Sequence, residues 1–169
     1  IMSGNATDAQ ISSFLTAIKM QKHNPIVIAA GAEILRKKCL KISSTDNTVD
    51  VVGTGGDNLG TLNISTAVSF VLSGTGISVA KHGNYAASSK SGAANVLKAL
   101  SVNIECDINI VSKCLNEIGI CFLFAPKHHT AMKYVGKIRQ ELGIRTIFNL
   151  LGPLSNHAFV KKQLLGVYD

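Results

Sequence analysis

Two glycine- and hydroxyl-rich stretches hold the residues best suited to chemistry. The first, VDVVGTGGDNLGTLNIST over 49–66, runs from a short apolar segment into Gly53, Thr54, Gly55 and Gly56. Asp57 follows, then Thr61, then Asn63, Ser65 and Thr66 ahead of the apolar AVSFVL. Glycines lack a Cβ, so consecutive backbone N–H groups can approach a ligand and form an anion-binding nest. A carboxylate in that company repels phosphate unless hydroxyls or a cation intervene. Asp57 is therefore expected to face ribose hydroxyls, a magnesium-bound water or a metal–pyrophosphate, or else to bond its own backbone as an ordinary turn aspartate. GTGGDN has neither the G-x-G-x-x-G nor the G-x-x-x-x-G-K-[ST] spacing, and alone it describes a plain βα turn as well as a phosphate loop.

Asn63, Ser65 and Thr66 fall where a helix should begin. Unpaired N–H groups and a partial positive charge there suit a monophosphate, although simple N-capping explains the same residues. The second stretch, VAKHGNYAASSKSG, offers Lys81 as a full charge and His82, Gly83 and Asn84 as a polar turn. Ser88, Ser89 and Ser91 lead into another helix start. Two strand ends with one chemistry should face one crevice, which points to an extended phosphate ligand such as a sugar diphosphate. Farther on, His128 and His129 are adjacent, a poor arrangement for chelating one metal. Arg139 and Arg145 could grip a carboxylate through the two-pronged guanidinium, or lie on a helix surface.

The elements that must position these residues follow from periodicity. Residues 1–42 read as helical. Thr7 and Gln10 make a capping box, and Ile11, Phe14, Leu15 and Ile18 recur at helical spacing. A second helix opens at Asn24–Pro25, with Ile26, Ala29, Ala30, Ile34 and Leu35 as its expected apolar stripe. KISSTDNT is a polar connector and a domain boundary. Beyond it come the strand VDVVG, a helix over 65–73, the strand GISVAKHG and a helix in SGAANVLKAL. A helix capped by Asp107 follows, with Ile108, Val111, Leu115 and Ile118 on one face and Gly119 closing it, and then the strand ICFLF. Strand–helix alternation predicts an α/β fold with a mostly parallel sheet flanked by helices, and ligands at the carboxyl ends of its strands. The basic helical segment 126–146 interrupts this rhythm and is expected to fold back on the N-terminal helices. QLLGVYD reads as a further strand.

The bulk properties agree. The chain has 169 residues, 46% hydrophobic and 16% charged, with a net charge of +7, which argues against disorder and suits an anionic ligand. Cys39, Cys106, Cys114 and Cys121 form no C-x-x-C pair and sit in apolar contexts, as expected for reduced, buried thiols in a cytoplasmic protein. The longest apolar run, ICFLFA, is too short to span a bilayer, and IMSGNATDAQ lacks the pattern of a signal peptide.

In order and spacing, GTGGD, NIST, KHGN, SSKSG and RTIFNLLGPLSN resemble the signatures of the anthranilate phosphoribosyltransferase family, and MSGNATDAQISSFLTAIK resembles its N-terminal helices. The resemblance implies a small helical domain (1–44, with 127–146 packed on it). It also implies an α/β phosphoribosyl pyrophosphate-binding domain of the nucleoside phosphorylase/phosphoribosyltransferase type (47–126 and 147–169), incomplete at its C-terminus. Family members are about twice as long, so the chain reads as the N-terminal half of such a protein. The implied reaction joins the amine of anthranilate to C1 of phosphoribosyl pyrophosphate, releasing pyrophosphate in tryptophan synthesis, with Mg2+ as cofactor. A homodimer through the helical part is implied, and neither membrane nor nucleic acid is expected as a partner.

By the same resemblance Gly53, Thr54, Gly55, Gly56 and Asp57 border the pyrophosphate and ribose. Asn63, Ser65 and Thr66 take the 5′-phosphate, with Ser65 near magnesium. Lys81 and Ser89 bind the pyrophosphate side, and Thr61, Gly83 and Ser88 complete the substrate loops. His82, Asn84, His129 and Arg139 line the anthranilate channel, Arg139 nearest the carboxylate. No general base is assigned, His82 being the single candidate. The chain departs from the family pattern at Asn58, Leu62, Tyr85, Asn95, Thr130 and at His157, where Pro is usual. Tyr85 is expected to weaken pyrophosphate binding and Thr130 to loosen the anthranilate wall. The family's Asp-Glu metal pair is expected beyond Asp169, so residues 1–169 alone should be inactive. A pyrimidine nucleoside phosphorylase is disfavoured by the absence of its Lys-His-Ser-Thr-Gly-Gly loop. A nucleic-acid-binding relative is disfavoured by the intact KHGN and NIST, and the remaining alternative is a weak phosphate binder without turnover.

Overall fold

A computed structural model describes residues 1–21, 24–54, 62–86 and 91–167. Helix α1 (Asp8–Met20) starts where Thr7 and Gln10 satisfy each other: Gln10 N–H donates to Thr7 Oγ1 (3.3 Å) and Thr7 N–H to Gln10 Oε1 (2.9 Å). Helix α2 (Pro25–Lys38) is capped by Asn24, whose Oδ1 accepts from Ile26 N–H at 2.9 Å. Ile11 and Leu15 of α1 and Ala32 and Leu35 of α2 form one core with Val135 and Ile138 of helix α7 (Lys133–Leu142). Helix α7, within the basic segment 126–146, packs against α1 and α2.

The buried stripe of α2 differs from the expected one. Of Ile26, Ala29, Ala30, Ile34 and Leu35 only Leu35 is buried, and Ile28 and Ala32 pack inward instead. Ile26 remains 77% exposed and Ile34 44%. An apolar helix with hydrophobic residues on two faces does not reveal which face its neighbours cover. Phe14 on α1, also expected inside, is about half exposed.

The second layer is a four-stranded, wholly parallel sheet of β1 (Val49–Gly53), β2 (Val79–Gly83), β3 (Ile120–Phe124) and β4 (Lys162–Gly166), in the order β3-β2-β1-β4. Helices α3 (Ile64–Gly74), α4 (Ala93–Ala99) and α5 (Ile108–Ile118) make the crossovers that parallel pairing requires. Val111 and Leu115 of α5 pack with Ala80, Cys121 and Leu123 of the sheet. Ile118, expected on the same face, is largely exposed. Gly119 ends α5 with φ of 79°, a left-handed conformation that favours glycine. Asp107 occupies the N-cap position of α5, but its carboxylate pairs with Lys127 at 3.0 Å instead of bonding the helix N–H groups.

Residues 147–154 pack on the helical layer before the chain reaches β4. Helix α8 (Ile147–Leu151) sends Ile147 and Leu151 into the helical core, with Phe148 and Leu154 packed against it. The chain returns to the sheet only at 155–166. No helix among the described residues is long and apolar enough to cross a membrane.

Candidate active site

Chain order places the crevice. From β1 the chain builds outward through β2 to β3, then returns to the other side of β1 for β4. The sheet therefore changes direction between β1 and β4, where ligands of open α/β sheets bind. Gly53 and Thr54, the start of GTGGD, leave β1 at that point. Gly53 is the last residue of β1, and Thr54 N–H donates to the Gly166 carbonyl of β4 at 3.0 Å.

Hydrogen bonds bring the two polar stretches together. Asn63 precedes α3 but does not cap it: its Oδ1 accepts from Thr66 Oγ1 (2.8 Å) and its Nδ2 donates to the Ser91 carbonyl in the second stretch (3.1 Å). Lys81 on β2 reaches under β1, donating to the Val51 carbonyl (2.7 Å) and to Ser65 Oγ (3.1 Å). Thr66 is buried beside them. These hydrogen bonds tie Asn63 and Ser65 at the start of α3 to Lys81 on β2 and to the Ser91 backbone. Gly55, Gly56, Asp57, Thr61, Ser88 and Ser89 lie outside the described residues.

Burial pulls the Lys81 ammonium down to about 8, partly offset by the carboxylate of Asp50. Asp50 is itself buried in β1, where Oδ1 accepts from His82 N–H (3.0 Å) and Oδ2 from Gln163 Nε2 (3.1 Å). Burial raises its carboxyl pKa despite hydrogen bonds from Asn156, His82 and Gln163. Sequence reasoning passed over Asp50, although a lone acid inside the apolar VDVV run was a visible signal.

Asn84 Oδ1 accepts from Tyr85 N–H at 2.7 Å, and Gly83 ends β2. The Tyr85 ring stands edge-on to Phe124 (5.3 Å between centroids), with Lys98 Nζ over its face at 5.3 Å. Asn95 accepts through Oδ1 from Ala86 N–H (3.2 Å) and Gly92 N–H (2.9 Å), closing the base of the second loop. Gly92 is required there: an added Cβ would collide with the Ala86 nitrogen and lie 2.6 Å from the Tyr85 carbonyl carbon. Gly92→Ala is expected to cost about 1–3 kcal/mol because backbone must move. Gly74→Ala, whose Cβ meets nothing within 4 Å, should be neutral or slightly stabilising. Equal shifts in their thermal melting temperatures would contradict this account.

The third cluster is made of histidines. His82 lies on β2 one residue before its end, His128 ends α6 (Ala125–His128) after β3, His129 follows it, and His157 lies between α8 and β4. All four are buried. The His157 ring is 5.3 Å from His82, 5.1 Å from His129 and 4.7 Å from His128, and His82 is 5.2 Å from His129. Burial first, then neighbouring positive charge, holds them neutral. His82 is drawn down to about 4 (next to Lys81) and His129 to about 3, while His128 and His157 are also lowered. The interdomain connector straps this cluster, with Leu40 N–H donating to the His128 carbonyl (3.1 Å) and Ile42 N–H to the His157 carbonyl (3.2 Å). Cys39 and Cys121 are buried free thiols, and Cys106 and Cys114 are half-buried and also free.

The structure therefore brings His82 and His129 together. Arg139, on α7, donates through Nη2 to Asn149 Oδ1 at 3.5 Å and stacks over Phe148 at 5.3 Å. For magnesium, Ser65 supplies one hydroxyl that already accepts from an ammonium. A hard cation seeking six oxygens is not held by that donor, so the described residues do not form a magnesium site of their own.

The helical and sheet layers also match known sequences. Residues 45–169 match the family model described as "Glycosyl transferase family, a/b domain", and residues 1–39 match its helical bundle domain. The chain belongs to this glycosyltransferase family. Within the family, it is 50% identical over 168 residues to the anthranilate phosphoribosyltransferase of Parvibaculum lavamentivorans, covering 99% of this chain and 49% of that protein. It is 52% identical to that of Chelativorans sp., covering 100% of this chain and 50% of the relative. The solved anthranilate phosphoribosyltransferase of Thermus thermophilus superposes with a TM-score of 0.93 at 41% identity, over 99% of this chain and 51% of that one. The Saccharomyces cerevisiae enzyme, solved with PRPP and Mg, gives 0.88 at 38% identity over 96% and 46%. This glycosyltransferase chain spans about half the length of the curated relatives it matches.

Proposed function

We propose that the protein transfers the phosphoribosyl group of phosphoribosyl pyrophosphate to the amine of anthranilate, giving phosphoribosyl-anthranilate and pyrophosphate in tryptophan biosynthesis. The observation that supports this reading is the hydrogen bonding that joins the two polar stretches, Lys81 to Ser65 and Asn63 to the Ser91 carbonyl. It stands at the direction change of a parallel sheet whose fold matches anthranilate phosphoribosyltransferases. Asn63, Ser65 and Thr66 receive the 5′-phosphate. Lys81, Ser88 and Ser89 face the pyrophosphate, and Gly53, Thr54, Gly55, Gly56, Asp57 and Thr61 border the ribose and its diphosphate. His82, Gly83, Asn84, His129 and Arg139 form the anthranilate side.

Displacement at C1 builds positive character on the sugar and negative charge on the departing pyrophosphate. The Lys81 ammonium supplies fixed positive charge for the leaving group, and it is predominantly charged at neutral pH with a pKa of about 8. Anthranilate's aromatic amine is a weak nucleophile, so holding it in line with C1 matters more than a strong base. Ser65 would offer its hydroxyl oxygen to a magnesium ion, which would supply charge neutralisation for the leaving pyrophosphate. The protein works in the cytoplasm as a homodimer. Ile26, Ala30 and Ile34 form an outward apolar line on α2 that suits a subunit interface.

The test follows loss of anthranilate fluorescence on adding phosphoribosyl pyrophosphate and Mg2+. The protein used is a polypeptide of the relatives' full length carrying these residues as its N-terminal half. Turnover is expected, and Arg139→Ala should raise the KM for anthranilate about tenfold or more, the loss of a charge-assisted pair, with little change for the phosphate substrate. Absence of saturable phosphoribosyl pyrophosphate binding would overturn the proposal.

A further inference from the structure

We propose that His82, His129 and His157 form a binding site for one late first-row transition-metal ion, Zn2+ above all. Each imidazole presents a nitrogen within 4.8 Å of the other two. Zn–N bonds of about 2.0–2.1 Å need these nitrogens closer, an inward movement of roughly 1 Å or less per ring. The three rings arrive from separate segments and meet nearly edge-on, His157 at 90° to His82 and 89° to His129. They therefore converge rather than stack.

The second observation is unmet bonding. His82 Nε2 and both ring nitrogens of His129 and His157, like those of neighbouring His128, are buried without a hydrogen-bond partner, in residues at most 5% exposed. A buried polar atom left in this state costs about 1–3 kcal/mol. Core histidines retained only for packing are ordinarily satisfied. A metal ion accepting one lone pair from each ring removes much of this cost. The backbone of Gly152 borders His82 and that of Ser155 borders His129 and His157. Both are placed to receive the remaining ring N–H groups once the rings shift, the usual way a metal-bound histidine is oriented. Three imidazoles without a nearby hard-oxygen cage select Zn2+, Co2+, Ni2+ or Cu2+ over Mg2+.

His128 adjoins His157 but offers no atom to the triad. His157 completes the site at a position where the sequence departs from the pattern it otherwise resembles. The site shares His82 and His129 with the proposed anthranilate channel, yet its test makes no use of the transfer reaction.

Co2+ is titrated as a spectroscopic probe into the chelator-treated chain. Intense visible d–d bands of four-coordinate Co2+, saturating at one equivalent and displaced by Zn2+, are expected, with zinc-edge X-ray absorption showing three imidazole ligands. His157→Ala and His129→Ala, each checked for folding by circular dichroism, should lower affinity by about tenfold or more. His128→Ala should leave affinity within about threefold, since it removes no ligand. If a variant fails to fold, the X-ray absorption of the unmodified chain decides alone. Absence of saturable one-equivalent binding, scattering without the imidazole signature, or an equal loss in His128→Ala would each overturn the site.

Discussion

Acidifying the metal-free protein from about pH 7.5 to about pH 5 is expected to remove stability, at roughly 2 kcal/mol each from His82 and His129, with His128 and His157 acting in the same direction. In the folded state His82 is held down to about 4 and His129 to about 3, and His128 and His157 are lowered too, against an ordinary value of 6.5. The sign follows from proton binding. Between the unfolded and folded values the unfolded chain binds protons that the folded chain refuses. Stability is thus fully present above 6.5 and is lost as pH falls toward 4 for His82 and 3 for His129. The nearby cations Lys81 and Lys127 deepen the effect by repelling a second positive charge. Lys81 acts in a higher window, between 10.5 and about 8, and is silent here. Asp50, whose carboxyl is raised, works in the opposite direction and offsets part of the loss. Urea unfolding at the two pH values reads the difference directly. A midpoint that does not move would show that the imidazoles are not buried as described. Since small domains are stable by only about 5–15 kcal/mol, the loss should bring the protein near unfolding.

Asp50→Ala should destabilise the fold by about 3–5 kcal/mol. The substitution removes the acceptor of His82 N–H and of Gln163 Nε2 at once, and deletes the carboxylate that supports the Lys81 charge. Asp50 also ties three adjacent strands together, since His82 sits on β2 and Gln163 on β4. Asp50→Asn keeps an oxygen for His82 N–H and should cost about 1–2 kcal/mol, the share due to charge. Thermal or denaturant unfolding of the two variants separates the contributions. If both melted within about 0.5 kcal/mol of the parent, the buried carboxylate would have no structural role.

Much of the fold was legible along the chain. The Thr7–Gln10 box, the Asn24–Pro25 start, the Gly119 stop and the four short apolar strands are local signals, each spanning a few residues, and each lies where expected. The alternation of strands and helices implied a parallel sheet, because parallel neighbours need a crossover between them. Clustering of hydroxyls, glycine and lysine marked the strand ends as polar, and Lys81 donates to Ser65 between the two stretches.

What periodicity left open were choices made between distant parts of the molecule. Helix α2 has apolar residues around much of its surface, and only contact with α7 and α8 selects Ala32 and Leu35 as its inner face. The same packing pulls Ile147 and Leu151 away from the sheet. Asp50 reads as an anomaly until β2 and β4 flank β1 and supply its donors.

Residue order along the chain was enough to establish the helices, the parallel strands and the polar loops, since hydrogen-bond periodicity, caps and glycine conformations act over one or two turns of backbone. Tertiary packing alone decided that β4 joins β1 on the side away from β2, and that His82, His129 and His157 meet. No spacing pattern foretells that meeting. It arises because strand order and the connector at 40–42 fold three remote segments onto one point, where burial makes each unpaired nitrogen costly.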